Sequence, residues 1–198
     1  MPILPITLLL AVLSAQTAAP HASEPSAWAL TPLHQTSMLL ERFPPSQRSV
    51  ALSLLKPYLG PLFQGESSEQ LTRVMRSFRA ERLNLAGSPA LIVQPSGSEL
   101  CGATGNCSFW IVDLRRRRIV LNGDGIQSFA VSTARPGSMP EIITSSHASA
   151  YEQERIRWQF RGSSYQRESC ATVNTATDDG QPYPTPKITV HPCPTEGN

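Results

Sequence analysis

Lysine is almost missing from this 198-residue chain, where Lys56 and Lys187 stand against 15 arginines. Set against 15 acidic residues, the basic residues leave a net charge of only +2. That is too little to steer the whole molecule toward nucleic acid or a membrane, so any basic partner site has to be local. Charged residues of both signs make up 16% of the chain, which excludes a highly charged disordered polypeptide. No apolar run is long enough to span a bilayer. The longest, Ile6–Leu13, falls well short of the roughly 20 residues that a crossing helix needs, so no transmembrane segment is expected. The motifs G-x-x-x-x-G-K-[ST], G-x-G-x-x-G, H-E-x-x-H and G-x-S-x-G are all missing, which removes the local support for nucleotide-binding, zinc-protease and nucleophile-elbow readings.

Proline, by contrast, is plentiful at 18 residues, and rigid loops follow from its fixed φ. The Ile6–Leu13 run is followed by Ser14, Ala15, Thr17, Ala18, Ala19, Ala22 and Ser23, the apolar-then-small layout of a secretory signal. Residues 1–22 are therefore expected to be an export leader, although no Lys or Arg precedes the run and Pro20 follows the Thr17-Ala18-Ala19 site. The remaining chain, 23–198, is expected to form one globular unit, of a size that buries about two-thirds of its unfolded surface. A periplasmic or secreted location follows, and with it oxidised sulphur.

Four cysteines, Cys101, Cys107, Cys170 and Cys193, allow three pairings. The short Gly102-Ala103-Thr104-Gly105-Asn106 spacer turns tightly enough to favour Cys101–Cys107, which leaves Cys170–Cys193 to fasten the tail. A metal site built from these cysteines and His191 is disfavoured, because five residues between the first pair is too loose for a zinc knuckle.

Along the chain, residues 23–78 predict three short helices. The first is capped at Thr31-Pro32 and stopped by Pro44-Pro45, and the second runs from Ser46 to Pro57. The third opens at Ser67 or Ser68, with Leu71, Val74, Met75 and Phe78 on one face and Arg73, Arg76 and Arg79 on the other. Residues 79–170 change to short β-branched and aromatic runs, with strands expected near 79–85, 89–94, 108–114, 117–122, 126–132, 140–144, 153–161 and 164–169. No connection is long enough for a crossover helix, so the pairing must be mainly antiparallel. Residues 171–198 read as an irregular tail, because Pro182, Pro184, Pro186, Pro192 and Pro194 oppose ladder hydrogen bonding. The fold class is thus α+β: short N-terminal helices packed on a mainly antiparallel sheet or partly open barrel, stapled by disulfides.

Several segments tempt a chemical reading. Val120 to Val131 places Asn122, Asp124 and Gly125 at positions 3, 5 and 6 of a calcium loop, but both ends lack a carboxylate. Asn122-Gly123 is read instead as a type I′ hairpin turn extended by Asp124-Gly125. Arg115, Arg116, Arg117 and Arg118 would suit an oxyanion, yet without interleaved aromatics they read first as a solvated hairpin tip, and no nucleic-acid partner is expected. Ser145, Ser146 and His147, with a distant Asp113 or Asp124, suggest a hydrolase, although neighbours in sequence need not converge in space. A helix starting near Ser145 or Ser146 would account for them without chemistry. No residue is assigned as catalytic, and no metal or cofactor is expected.

Leu100-Cys101-Gly102-Ala103-Thr104-Gly105-Asn106-Cys107-Ser108-Phe109-Trp110 is the most distinctive stretch. Together with Ile126-Gln127-Ser128-Phe129, Ser145 to Ala150, Arg157 to Gly162, Tyr165 and Cys170, it resembles a group of small exported bacterial proteins with no assigned activity. The likeness covers about residues 78–170. It implies export and a β-rich domain, and it implies no reaction. The group often carries proline after the second cysteine, where this chain has Ser108. The reading of the whole sequence is a non-enzymatic binding or envelope-associated domain, with an envelope or secreted protein as the expected kind of partner. The alternatives are a secreted hydrolase built on His147 with Ser145 or Ser146, and an inhibitor of a secreted hydrolase that inserts its 101–107 loop.

Overall fold

Apolar residues alternate along the strands of the first sheet, so that one set faces helices and the other faces a second sheet. The computed structural model describes residue 28 and residues 37–63, 67–96, 100–132 and 137–194. The expected leader and the expected cap at Thr31 lie outside the described residues. Strands β1 (Met38–Leu39), β2 (Arg79–Leu85), β3 (Ser88–Gln94), β4 (Cys107–Asp113) and β5 (Arg118–Ile126) form one antiparallel sheet in that order. Strands β6 (Ser128–Val131), β7 (Ile142–His147), β8 (Glu152–Arg161), β9 (Ser164–Ala176) and β10 (Pro182–His191) form the second, in the order β10-β9-β8-β7-β6. Among the described residues both sheets are open, with no closed barrel.

Leu91, Val93, Trp110 and Val112 point toward helices α1 (Pro45–Leu59) and α2 (Ser68–Arg76), packing on Leu55, Leu59 and Met75. Their strand neighbours Ala90, Ile92, Phe109 and Ile111 point the other way and meet Phe129, Ile142, Trp158 and Tyr165 of the second sheet. The Phe109 and Trp158 rings join the two sheets edge to face, with centroids 6.5 Å apart. The fold is therefore three layers, helices on sheet on sheet, and the helices cover one sheet face as the apolar patterning requires.

Helix α2 begins where its capping box dictates. The Ser67 hydroxyl accepts from the Gln70 amide N–H, and the Gln70 side chain accepts from the Ser67 N–H. Its spacing ends at Arg76, and Arg79 belongs to β2 rather than to the helix. The first expected helix does not form over its described part, since Met38–Leu39 pairs with Arg79 and Ala80 as β1. In α1, Pro45 rather than a Ser46 cap sets the start, using a position whose N–H would be orphaned in any helix. The helix also continues through Pro57. That residue is exposed, so the carbonyl it leaves unpaired one turn earlier can meet water.

Three strand expectations need correction. Asn122-Gly123 is not a turn, because β5 runs through it unbroken. The glycine is required by the Phe109 ring, whose edge lies 2.1 Å from where a Cβ would sit. The turn with two successive positive φ values is instead Ala86-Gly87, and it is steadied by the Asn84 side-chain carbonyl accepting from the Gly87 N–H at 2.6 Å. Ser145 and Ser146 open no helix and lie within β7. The proline-rich tail is also ordered, with Lys187–His191 pairing with Asn174–Cys170 of β9. Pro184 and Pro186 fall in the register shift between Pro182 and Lys187 of this edge strand, where a missing N–H breaks no ladder.

The outer face of the second sheet carries a further small core. Trp28 is fully buried on Ile143, Ala171 and Ile188. The Arg157 guanidinium lies 4.7 Å from its ring centroid, and Arg155 donates to its carbonyl. Burial of the Arg155 guanidinium there pulls its pKa down.

Candidate functional site

Both expected disulfides form, Cys101–Cys107 and Cys170–Cys193. The first closes a small loop at the start of β4, with its Cα atoms 4.0 Å apart. Inside the loop, the Gly102 N–H donates to the Asn106 carbonyl at 2.7 Å and the Gly105 N–H donates to the Gly102 carbonyl at 2.8 Å. Gly105 takes a φ of 78°, which a residue with a Cβ adopts only at a cost. Gly102, Ala103, Thr104 and Gly105 are all exposed. The loop thus turns a bare backbone rim to solvent while its base is covalently closed.

Asn106 fixes this loop to the second sheet. Its side-chain amide donates to the His147 carbonyl at 2.9 Å, and its side-chain oxygen accepts from the His147 N–H at 3.0 Å. One side chain therefore satisfies both backbone groups of the last residue of β7, as a neighbouring strand would. Close by, Gln127 is the one residue between β5 and β6, and its N–H donates to the Ser145 carbonyl at 2.7 Å. The corner where the chain passes from one sheet to the other is held at both points. A Cβ at Gly105 would lie 3.7 Å from the Gln127 side-chain nitrogen, so the loop rests beside this crossing.

The structure therefore brings His147 and the Cys101–Cys107 loop together, through the His147 backbone. It does not bring together the residues of the hydrolase alternative. The Ser145 hydroxyl is buried and donates to the Gln153 side-chain oxygen at 3.4 Å. The His147 ring Nδ1 sits 3.4 Å from the Ser149 carbonyl. Ser146 is the intervening residue of β7 and so lies on the opposite sheet face from both. Asp124 is exposed on β5. Asp113 stands at the far end of β4 from Cys107, about 20 Å away at strand rise, and its carboxylate accepts from Ser88, from the Arg116 backbone N–H and from the Arg116 guanidinium.

The arginine block also lies at that far end, as the turn between β4 and β5, so it and His147 belong to different regions. Near the Cys170–Cys193 bridge, an open groove of about 510 Å³ is lined by Asn122, Trp158, Tyr165, Gln166, Arg167, Cys193 and Pro194. Three of its polar groups are engaged: Trp158 Nε1 donates to Thr144 at 2.9 Å, the Tyr165 hydroxyl donates to the Pro140 carbonyl at 2.8 Å, and Arg167 covers the Trp158 ring at 5.5 Å. Burial pushes the Tyr165 phenol above its ordinary range. Among the described residues, no three His, Cys, Asp or Glu side chains group in a way that could hold a metal ion.

Asn106 is the residue that the sequence does not single out, since it reads there only as the last position of the spacer between Cys101 and Cys107. Its partner is 41 residues away, so no local pattern announces the clamp. Comparison with known proteins gives no match to a family model, a curated protein or a solved structure.

Proposed function

We propose that this protein is an exported, non-enzymatic binding domain that presents the Gly102–Gly105 rim to an envelope or secreted partner. The observation that carries this reading is the double anchoring of an exposed loop, by the Cys101–Cys107 bridge and by the Asn106 clamp on His147. A loop ordered before contact avoids part of the entropy cost of association, about 0.5–1.5 kcal/mol for each side chain that would otherwise be immobilised. Two disulfides are compatible with an extracellular or periplasmic location. Among the described residues no helix is long and apolar enough to cross a membrane. The likeness to small exported bacterial proteins supports the same reading.

The test uses the intact chain immobilised through its C-terminus and exposed to a solubilised envelope fraction. Thr104→Arg places a bulky charge on the rim without touching the bridge or the clamp. It should abolish retention of whatever the unaltered chain holds, with no change in melting temperature. Equal retention by both chains, or hydrolytic turnover by the unaltered chain that His147→Ala removes, would overturn the reading.

A further inference from the structure

We infer that the turn between β4 and β5 is an electrostatic docking point for the phosphate groups of an anionic lipid surface. This surface is separate from the Gly102–Gly105 rim, and the inference does not depend on that reading. Arg115, Arg116 and Arg117 are exposed and Arg118 is half-buried beside them, with Arg117 held in the left-handed region at a φ of 52°. Among the described residues, Arg116 is the one of the four with an acidic partner. Its guanidinium pairs at 2.8 Å with Asp113, which is fully buried. That single pairing neutralises the one carboxylate bonded at the turn. Arg115 and Arg117 remain as exposed positive charges and Arg118 as a half-buried one with its Nε enclosed, a net of +3 at the turn on a chain whose total is +2, which leaves −1 for everything else. The tip is therefore a local concentration of positive charge on a chain whose other charges nearly cancel.

Protection of a sheet edge is the ordinary use of such charges, and it would need them along the unpaired side of a strand. Here Arg115, Arg116 and Arg117 lie beyond the last cross-strand pair, Asp113 with Arg118, where no ladder group needs guarding. A guanidinium offers a planar fork that matches phosphate oxygens. Each basic residue at an anionic bilayer surface contributes about 1 kcal/mol, so three of them give a preference of roughly a hundredfold. Nucleic acid is the poorer fit, because residues 113–119 hold no aromatic ring on which a base can stack.

The experiment is flotation of the intact chain with vesicles of phosphatidylcholine alone and of phosphatidylcholine with about one-third phosphatidylglycerol, a composition that supplies the negative surface potential. Binding to the anionic vesicles should exceed binding to the neutral ones by roughly a hundredfold, and it should vanish near 1 M salt, where the screening length falls to about 3 Å. Arg115→Gln with Arg117→Asn removes two free charges while keeping Arg116 on Asp113, and asparagine tolerates the positive φ. This variant should bind about thirtyfold more weakly, with an unchanged melting temperature. The charge-matched control, Arg73→Gln with Arg76→Gln on α2, should bind as the unaltered chain does. Equal binding to both vesicle types, undiminished binding by the tip variant, or preferential binding of a single-stranded DNA oligonucleotide would each overturn the proposal.

Discussion

Replacing Trp28 with alanine should lower the stability of the protein by about 3–5 kcal/mol, the usual cost of emptying a buried tryptophan site. The indole is fully buried and rests on Ile143, Ala171 and Ile188, so its loss bares three apolar side chains on the outer face of the second sheet. Arg155 keeps its acceptor, because that is the backbone carbonyl of residue 28, but Arg157 loses the ring it covers. The Arg157 guanidinium no longer has a π face, an interaction worth about 0.5–2 kcal/mol according to its exposure. Phenylalanine at position 28 should restore roughly half of the loss, since it fills part of the volume and keeps an aromatic ring beneath Arg157. Equilibrium unfolding in denaturant measures both variants. A loss below about 1 kcal/mol for Trp28→Ala would mean that the ring does not fasten the chain to this sheet, because cavities of that size do not come so cheaply in well-packed cores.

Replacing Asp113 with asparagine should cost about 3 kcal/mol at neutral pH, and the cost should shrink in acid. Burial by itself raises the pKa of this carboxyl. The Arg116 backbone N–H, the Arg116 guanidinium and the Ser88 hydroxyl outweigh burial and hold the group below its ordinary value of 3.8. Hydrogen bonds to a charged group are worth about 1.5–3 kcal/mol each when buried, and Asp113 is fully buried. Because the folded pKa is lower than the unfolded one, the stabilisation is fully present above the ordinary carboxyl range. It is lost as the pH falls through 3.8 and on through the lower folded value. The unaltered chain should therefore lose stability steeply in that window, while Asp113→Asn should give a flatter profile. Parallel profiles for the two chains would show that Asp113 is not held as a charged group.

Features set by neighbouring residues were readable in the sequence. The capping residues at Ser67 and Gln70 and the apolar spacing of Leu71, Val74 and Met75 specify α2. The runs Ala90–Val93 and Phe109–Val112, buried on both faces, specify central strands, and the short spacer between Cys101 and Cys107 specifies their bridge. Failures cluster where a distant partner decides. Gly123 looks like a turn residue, and only the Phe109 ring from the adjacent strand explains why a glycine sits inside β5. Pro184 and Pro186 oppose a strand by local rules, but an edge position with a shifted register admits them. Ser145 and Ser146 resemble a helix cap until β8 is seen pairing with β7. Asn106 is the strongest case, since its amide matches one donor and one acceptor on a strand that the sequence places far away. The candidate site was thus half legible: the bridged loop could be read from spacing, while the clamp that makes it rigid depends on the way the two sheets meet.

That rigidity is what the functional account depends on, and nuclear spin relaxation of the backbone amides of Ala103, Thr104 and Gly105 measures it most directly. The account predicts order parameters near 0.85, the level of ordered backbone, in the oxidised chain, and a clear fall when Asn106→Ala removes the clamp while leaving the bridge intact. Values below about 0.6 in the unaltered chain would describe a flexible loop and would contradict a surface shaped in advance for a partner.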